Sequence, residues 1–342
     1  MADKVLGTLT EREFESQPEV WGAVLDRRES SPFQDVERVV VFGSGTSYYL
    51  ALLLADLLRT GLGLDAVAQP SCEVWIHPER TLKNPQTLFG VAVSRSGESS
   101  EAVLAARTLN DLGGRVLAIS CHADSTLVKM ADQVLLVPEG AEEGLVMSRS
   151  FSSMLLAVQK IVMGESGSNL NALPAAARRV LDKCEKPLKQ LAHKTDFQRF
   201  VFLGSGVNLP LTQEAALKMQ EMAIVTSEAY SALEYRHGPK ATAGPDTLVT
   251  LFAWDSHRAE QRQLLKDLHG YGVTTLVIGE NLDDLAAVSD ARVELDSGLD
   301  ETGRLALNLL PVHRLALETA RRLGRDPDLS QNLTQVVRLA ST

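Results

Sequence analysis

The sequence predicts an α/β protein built from two tandem, doubly wound domains, each a parallel sheet flanked by helices. Two observations predict it. Short β-branched runs alternate with helical stretches of ten to fifteen residues, the pattern of βαβ units. The runs of the second half also repeat those of the first in the same order. "VVVFGSG" ends at Gly45 and "FVFLGSG" at Gly206, "TLFGVAVS" starts at Thr87 and "TLVTLFAW" at Thr247, and two apolar runs follow Asp132 and Asp290. These pairs are separated by 161, 160 and 158 residues. Chance matching of apolar runs produces one such coincidence, hardly three in order, so a duplicated α/β unit is expected.

Residues 1–30 are expected to form a helical segment; "MADKVLGTLTEREFESQPEVW" is charged throughout and holds no signal-peptide apolar core. The first domain is expected over 31–185. Its strands are "VERVVVFGSG", "TLFGVAVS", "GRVLAIS" and "DQVLLV", and the helix "YYLALLLADLL" follows the first of them. That helix is too short to span a bilayer and carries Asp56. The join falls near 183–196, a polar helical stretch after "NALPAAARRVL". The second domain, over 190–342, carries "RFVFLGSG", "DTLVTLFAW", "VTTLVIG" and "ARVEL".

Hydrophobic content of 44% and charged content of 23% lie in the ordinary soluble range for 342 residues, enough chain for two cores. A net charge of -10 argues against nonspecific nucleic-acid binding, which needs clustered Lys and Arg. Cys72, Cys121 and Cys184 are odd in number and far apart, which fits neither a disulfide framework nor a structural zinc site. The reading is a cytoplasmic protein with no membrane or nucleic-acid partner, no metal and no cofactor.

The two copies differ in their loops. The first continues "VSRSGESSEAVLAARTLNDLGG", the second "AWDSHRAEQRQLLKDLHGYG". Only the first has a Ser/Gly turn, in the place beyond a strand's carboxyl end where open parallel sheets bind ligands. Free N–H groups and the helix dipole favour an anion there, Gly97 admits close backbone approach, and Ser94, Ser96 and Ser99 add hydroxyl donors. Arg95 either adds a charge-assisted bond or points at solvent or another subunit. "GSGTSYY" repeats the design with Thr46 and Ser47. It is neither a dinucleotide fingerprint, lacking the third glycine, nor a Walker loop, lacking Gly-Lys-Ser/Thr. Serines at such places also serve simply as helix caps. Two such turns in one copy favour a phosphate.

In "LTQEAALKMQEMAIVTSEAYSALEYRHGP", residues 211–239, Glu214, Lys218 and Glu221 are spaced four and three, on one face of a helix. Such a pattern is commonly a solvated ion pair. Its surroundings of Ala, Leu and Met point instead to burial, which would perturb the carboxylates enough for acid–base work. His237 sits in a turn signal, where a histidine is commonly exposed and idle.

Together "GSGTSYY", "SRSGES", "EEGLVMSRSF", "EAALKMQE", "EYRHGPK" and "DPDLSQNLTQVV" resemble the double SIS (sugar isomerase) family, over about residues 35–340. That family includes the isomerase half of glucosamine-6-phosphate synthase and tagatose-6-phosphate ketose/aldose isomerase-like proteins; "SRSG" and "YRHGPK" lean toward the latter. The resemblance implies two flavodoxin-like SIS domains and aldose–ketose isomerisation of a hexose or amino-hexose 6-phosphate. By similarity Thr46, Ser47, Ser94, Ser96 and Ser99 hold the phosphate, with Arg95 where the synthase has glutamine. Glu221 matches the base that moves a proton between C1 and C2. His237 matches a ring-opening histidine supplied by the other subunit of a homodimer, and Glu214 and Lys218 match residues that order the sugar site. Gln335 stands where the synthase tail has a lysine, which leaves that aid unfilled. The chain shows no glutaminase domain, so it is not expected to draw ammonia from glutamine. This favours, as alternatives, an amino sugar 6-phosphate deaminase or a fructosamine-6-phosphate deglycase. A non-catalytic phosphosugar-binding regulator is the reading from another class; thirty acidic N-terminal residues leave little room for a DNA-binding helix-turn-helix.

Overall fold

The computed structural model describes residues 5–164, 169–194 and 196–339. Its first part runs α1 (Thr8–Glu15), α2 (Gln17–Asp26), β1 (Arg38–Gly43), α3 (Thr46–Leu62), β2 (Asp65–Pro70), α4 (Ser71–Ile76), α5 (Pro78–Thr81), β3 (Leu88–Val93), α6 (Ser100–Asp111), β4 (Arg115–Ser120), α7 (Thr126–Met130), β5 (Gln133–Leu136) and α8 (Arg149–Met163). Then follow α9 (Leu173–Lys194), β6 (Arg199–Gly204), α10 (Leu209–Lys218), a π-helical turn (Met219–Ala223), β7 (Thr226–Ser231), β8 (Thr247–Phe252), α11 (Arg258–Gly270), β9 (Thr274–Gly279), β10 (Ala291–Glu294) and α12 (Leu309–Arg322).

The strands form two five-stranded sheets, ordered β2-β1-β3-β4-β5 and β10-β9-β8-β6-β7, and every pairing is parallel. Read from its other edge, the second order is the first one repeated. In each sheet the first strand lies inside, the second pairs on one side of it and the third on the other, which is the doubly wound, flavodoxin-like arrangement.

The β-branched runs become strands because both faces are covered: β1, β3, β6 and β8 are buried almost residue by residue. Val40, Phe42, Ala92, Leu109 and Val116 form the core of the first sheet, and Val201, Leu203, Val249, Leu251 and Leu268 that of the second. Two strands carry no such run in the sequence, β2 ("DAVAQP") and β7 ("TSEAYS"). Each is an edge strand with one buried residue near its start and partial exposure beyond, so pairing to β1 or β6, rather than apolar content, makes it a strand. β7 lies within 211–239, so the helix expected there ends at Lys218 and its π-turn instead of running on.

The chain divides into two compact units. One comprises Glu19–Glu143, Met147–Ser168 and Thr334–Thr342; the other comprises Met1–Pro18, Gly144–Val146 and Asn169–Leu333. Residues 334–339 thus return to the unit of the first sheet. In the second unit α12 is buried from Leu309 through Ala320, and the N-terminal helix α1 is tied to it by the Arg314 guanidinium on Glu11 (2.6 Å) and Glu15. Among the described residues no helix is long and apolar enough to cross a membrane.

Candidate active site

In the first unit the winding reverses between β1 and β3, and the turns that leave these two neighbours carry Thr46, Ser47, Ser94, Arg95, Ser96 and Ser99. The first turn needs its glycines for separate reasons. A Cβ on Gly43 would lie 2.3 Å from the Ser47 carbonyl oxygen, while Gly45 adopts φ 56 and ψ -128, a region closed to side chains. Thr46 and Ser47 are buried at the start of α3, whose first turn has no side-chain cap.

The second turn folds around its own hydroxyls. The Gly97 N–H donates to Ser94 Oγ (3.1 Å) and the Glu98 N–H to Ser96 Oγ (3.2 Å). Gly97 has φ 64, and a Cβ there would stand 2.1 Å from Ser125 Oγ. The turn is braced to the loop after β4: the Arg95 carbonyl accepts from Cys121 N–H (3.0 Å) and Ser120 Oγ (3.1 Å). The Glu98 carboxylate accepts from Thr126 N–H (2.7 Å), which helps hold it below the usual carboxylate range. Ser99 precedes α6 without capping it through its side chain. Capping therefore does not account for Ser99.

Arg95 is buried and turned to its own unit. Its guanidinium meets the Glu142 carboxylate at 3.5 Å and donates to the Gln335 carbonyl at 3.2 Å. Glu142 is itself held at the start of α8 by Ser148 N–H (2.7 Å), Ser148 Oγ (2.8 Å), Arg149 N–H (2.7 Å) and Ser150 Oγ. The Gln335 amide donates to the Glu142 and Glu143 carbonyls (3.2 and 3.3 Å), and the Ser100 N–H at the start of α6 donates to the Val337 carbonyl (3.2 Å). Glu142 escaped the sequence reading; the acidic residue six positions before Ser148 in "EEGLVMSRSF" was the available signal.

The second unit repeats the first turn's left-handed glycine, with Gly206 at φ 57, but not its chemistry. At the offset of the repeat, Arg95 corresponds to Asp255 and Gly97 to His257, which keeps the left-handed conformation (φ 51). The Asp255 carboxylate is taken by the buried Arg304 guanidinium (2.5 and 3.0 Å). An anion faces a carboxylate there, so the serine-lined crossover is peculiar to the first unit.

The second unit instead brings Glu214, Lys218 and Glu221 together. The Lys218 ammonium lies 3.3 Å from Glu214 and 2.5 Å from Glu221. The side chains of Lys218 and Glu214 are sealed from solvent; Glu221 keeps 20% of its surface open. Burial alone would lower Lys218, but the two carboxylates outweigh it and hold the ammonium above the usual lysine range. His313, buried on α12 with Nδ1 3.5 Å from the Gln17 amide, is pushed down to about 3 by burial and by the charge of Lys218, so it is neutral at physiological pH. His237 is exposed on the turn after β7, where its N–H closes onto the Glu234 carbonyl (2.9 Å). The roles of His313 and Gln17 were invisible in the sequence because their partners are about 300 positions apart.

The model of the SIS domain family matches residues 33–163 and 195–307. Glutamine–fructose-6-phosphate aminotransferase (isomerizing) of Pyrobaculum aerophilum is 28% identical over 312 residues, 87% of this chain and 51% of that protein. The enzyme of the same name from Gloeobacter violaceus is also 28% identical, over 90% of this chain and 53% of its own. The chain thus spans about half the length of these relatives. A crystal structure of glucosamine-6-phosphate deaminase from Thermotoga maritima superposes with a TM-score of 0.84 at 28% identity, covering 97% of this chain and all of that one. Tagatose-6-phosphate ketose/aldose isomerase from Escherichia coli shares the fold, with a TM-score of 0.84 at 22% identity.

Proposed function

We propose that this chain, which belongs to the SIS domain family, isomerises a hexose or amino-hexose 6-phosphate in the cytoplasm as a homodimer. One observation carries the reading: of three side chains packed together, only the Glu221 carboxylate is open to a ligand, and it lies 2.5 Å from a buried ammonium. In the proposed reaction Ser94, Ser96, Ser99, Thr46 and Ser47 hold the phosphate. Glu221 takes the C2 proton of the open-chain aldose and returns it to C1 through an enediol. Lys218, held in turn by Glu214, aims that carboxylate. His237, exposed in its own chain, opens the ring in the partner's site. None of these steps requires a metal.

A second reading is favoured by the match along the whole Thermotoga maritima deaminase chain. With an amino group at C2, the same proton transfer gives a ketimine at C2, and water hydrolyses it to the ketose phosphate and ammonia.

The test is a panel of glucosamine, galactosamine, tagatose and fructose 6-phosphates, followed by ammonia release, aldose–ketose conversion and melting temperature. Turnover of at least one member is expected, with a rise in Tm from ligand binding to the native state. Isomerisation without ammonia removes the deaminase reading, and binding without any turnover replaces the enzyme by a phosphosugar sensor. Ser96→Ala is expected to weaken affinity for the turned-over sugar phosphate about tenfold, the worth of one hydrogen bond to a charged group, with little change in Tm. Arg95→Ala is expected to lower Tm as well, because it strips the buried Glu142 of its cation.

A further inference from the structure

The turn that carries Glu221 is strained, and a single arginine is bonded to it. After Lys218 the helix widens into the π-turn Met219–Ala223 and stops at Ile224, which adopts φ 52 and ψ 46. A β-branched residue is rarely found in that left-handed conformation, and such a conformation persists only where its surroundings impose it. The surroundings are the segment after α12. The Arg325 guanidinium donates to the carbonyls of both Ala223 and Ile224, and Ser330 Oγ donates to the Glu221 carbonyl at 2.5 Å. These are carbonyls at a helix's C-terminal end, which lack intrahelical partners and attract a cation.

The segment is anchored from its other side. The Asp326 carboxylate accepts from Gly7 N–H (2.9 Å), and Asp328 accepts from Leu9 N–H (2.9 Å), Thr10 N–H (2.8 Å) and Thr10 Oγ1 (2.7 Å), capping α1. The residues between Arg325 and Ser330 thus span from a fixed helix start to the π-turn. A π-turn adds one residue per turn and changes where the following side chain points. Here it sets the angle at which Glu221 meets Lys218.

We infer that Arg325, aided by Ser330, is a positioning residue: it holds the strained π-turn that presents the Glu221 carboxylate. It reaches the reaction only through that turn. The inference rests on the reading of Glu221 as the base, and its test separates the two.

Arg325→Met, Arg325→Lys and Ser330→Ala are assayed on the four sugar phosphates beside Glu221→Gln. Arg325→Met is expected to lower kcat about 10²-fold with KM nearly unchanged, the scale of a misplaced catalytic group. Because the contact between Glu221 and Lys218 changes, the kcat–pH profile should move as well. Added guanidinium chloride at millimolar concentration should restore part of the rate, and Arg325→Lys should keep most of it. If Arg325→Met does not fold, Ser330→Ala carries the same kcat and pH readouts. An unshifted pH profile with unchanged kcat, or a loss of rate that only follows the loss of folded protein and resists rescue, overturns the inference. Full turnover in Glu221→Gln instead overturns the assignment of the base. An inactive Glu221→Gln beside a normal Arg325→Met removes the positioning role alone.

Discussion

Glu221→Gln is expected to reduce turnover by about 10²- to 10⁴-fold, the usual worth of a positioned general base, while phosphosugar affinity changes little. The amide is nearly isosteric with the carboxylate and can still face the Lys218 ammonium, which lies 2.5 Å from Glu221 Oε2. It can accept a hydrogen bond but cannot take a proton from carbon. Steady-state rates and calorimetric titration of the same preparation separate the two effects. Equal turnover in variant and parent discards Glu221 as the base. The same variant tests the shared site. Mixed with inactive His237→Ala, which retains the carboxylate, it should regain about a quarter of parental activity if each site draws its histidine from the partner of a two-fold dimer. No recovery after verified subunit exchange argues against sharing.

Lys218→Met should have the largest effect on stability. It leaves the Glu214 carboxylate, whose side chain is fully buried, without its cation, and breaking a buried pair in this way costs about 3–5 kcal/mol. For a unit of this size that is a fall in Tm on the order of 10 °C. The sign of the pH dependence follows. Without the ammonium, burial raises the pKa of Glu214 in the folded state above its unfolded value. The deficit relative to the parent should therefore shrink as pH falls toward the ordinary glutamate range and grow as pH rises. Lys218→Met with Glu214→Gln removes both charges and should recover much of the loss. A double variant no more stable than the single one would assign the damage to packing rather than to charge. The parent should also lose stability below pH 6.5, because His313 is held down to about 3 when folded and the unfolded chain takes up its proton first.

Much of the fold was legible because its signals are local. A β-branched run between glycine turns becomes a strand buried on both faces wherever helices cover it, and β1, β3, β6 and β8 do so. The duplication was legible for the same reason, since repeated runs wind into repeated sheets. β2 and β7 were not, because an edge strand is made by its neighbour's hydrogen bonds and needs no apolar run. The spacing of Glu214, Lys218 and Glu221 announced a shared face. The sealing of two of them, and the π-turn that ends the helix, depend on elements about a hundred residues away.

The sequence by itself determined the two parallel sheets, the confinement of the serine turn to one copy and the shared helix face of Glu214, Lys218 and Glu221, since periodicity and residue type are properties of short stretches. Tertiary structure alone decided that Arg95 turns inward to Glu142 and Gln335, that Asp255 is closed by Arg304, and that Ile224 is held by Arg325. Each is a hydrogen bond or ion pair between residues 47 or more positions apart, and chain folding, not local preference, brings such groups within 4 Å.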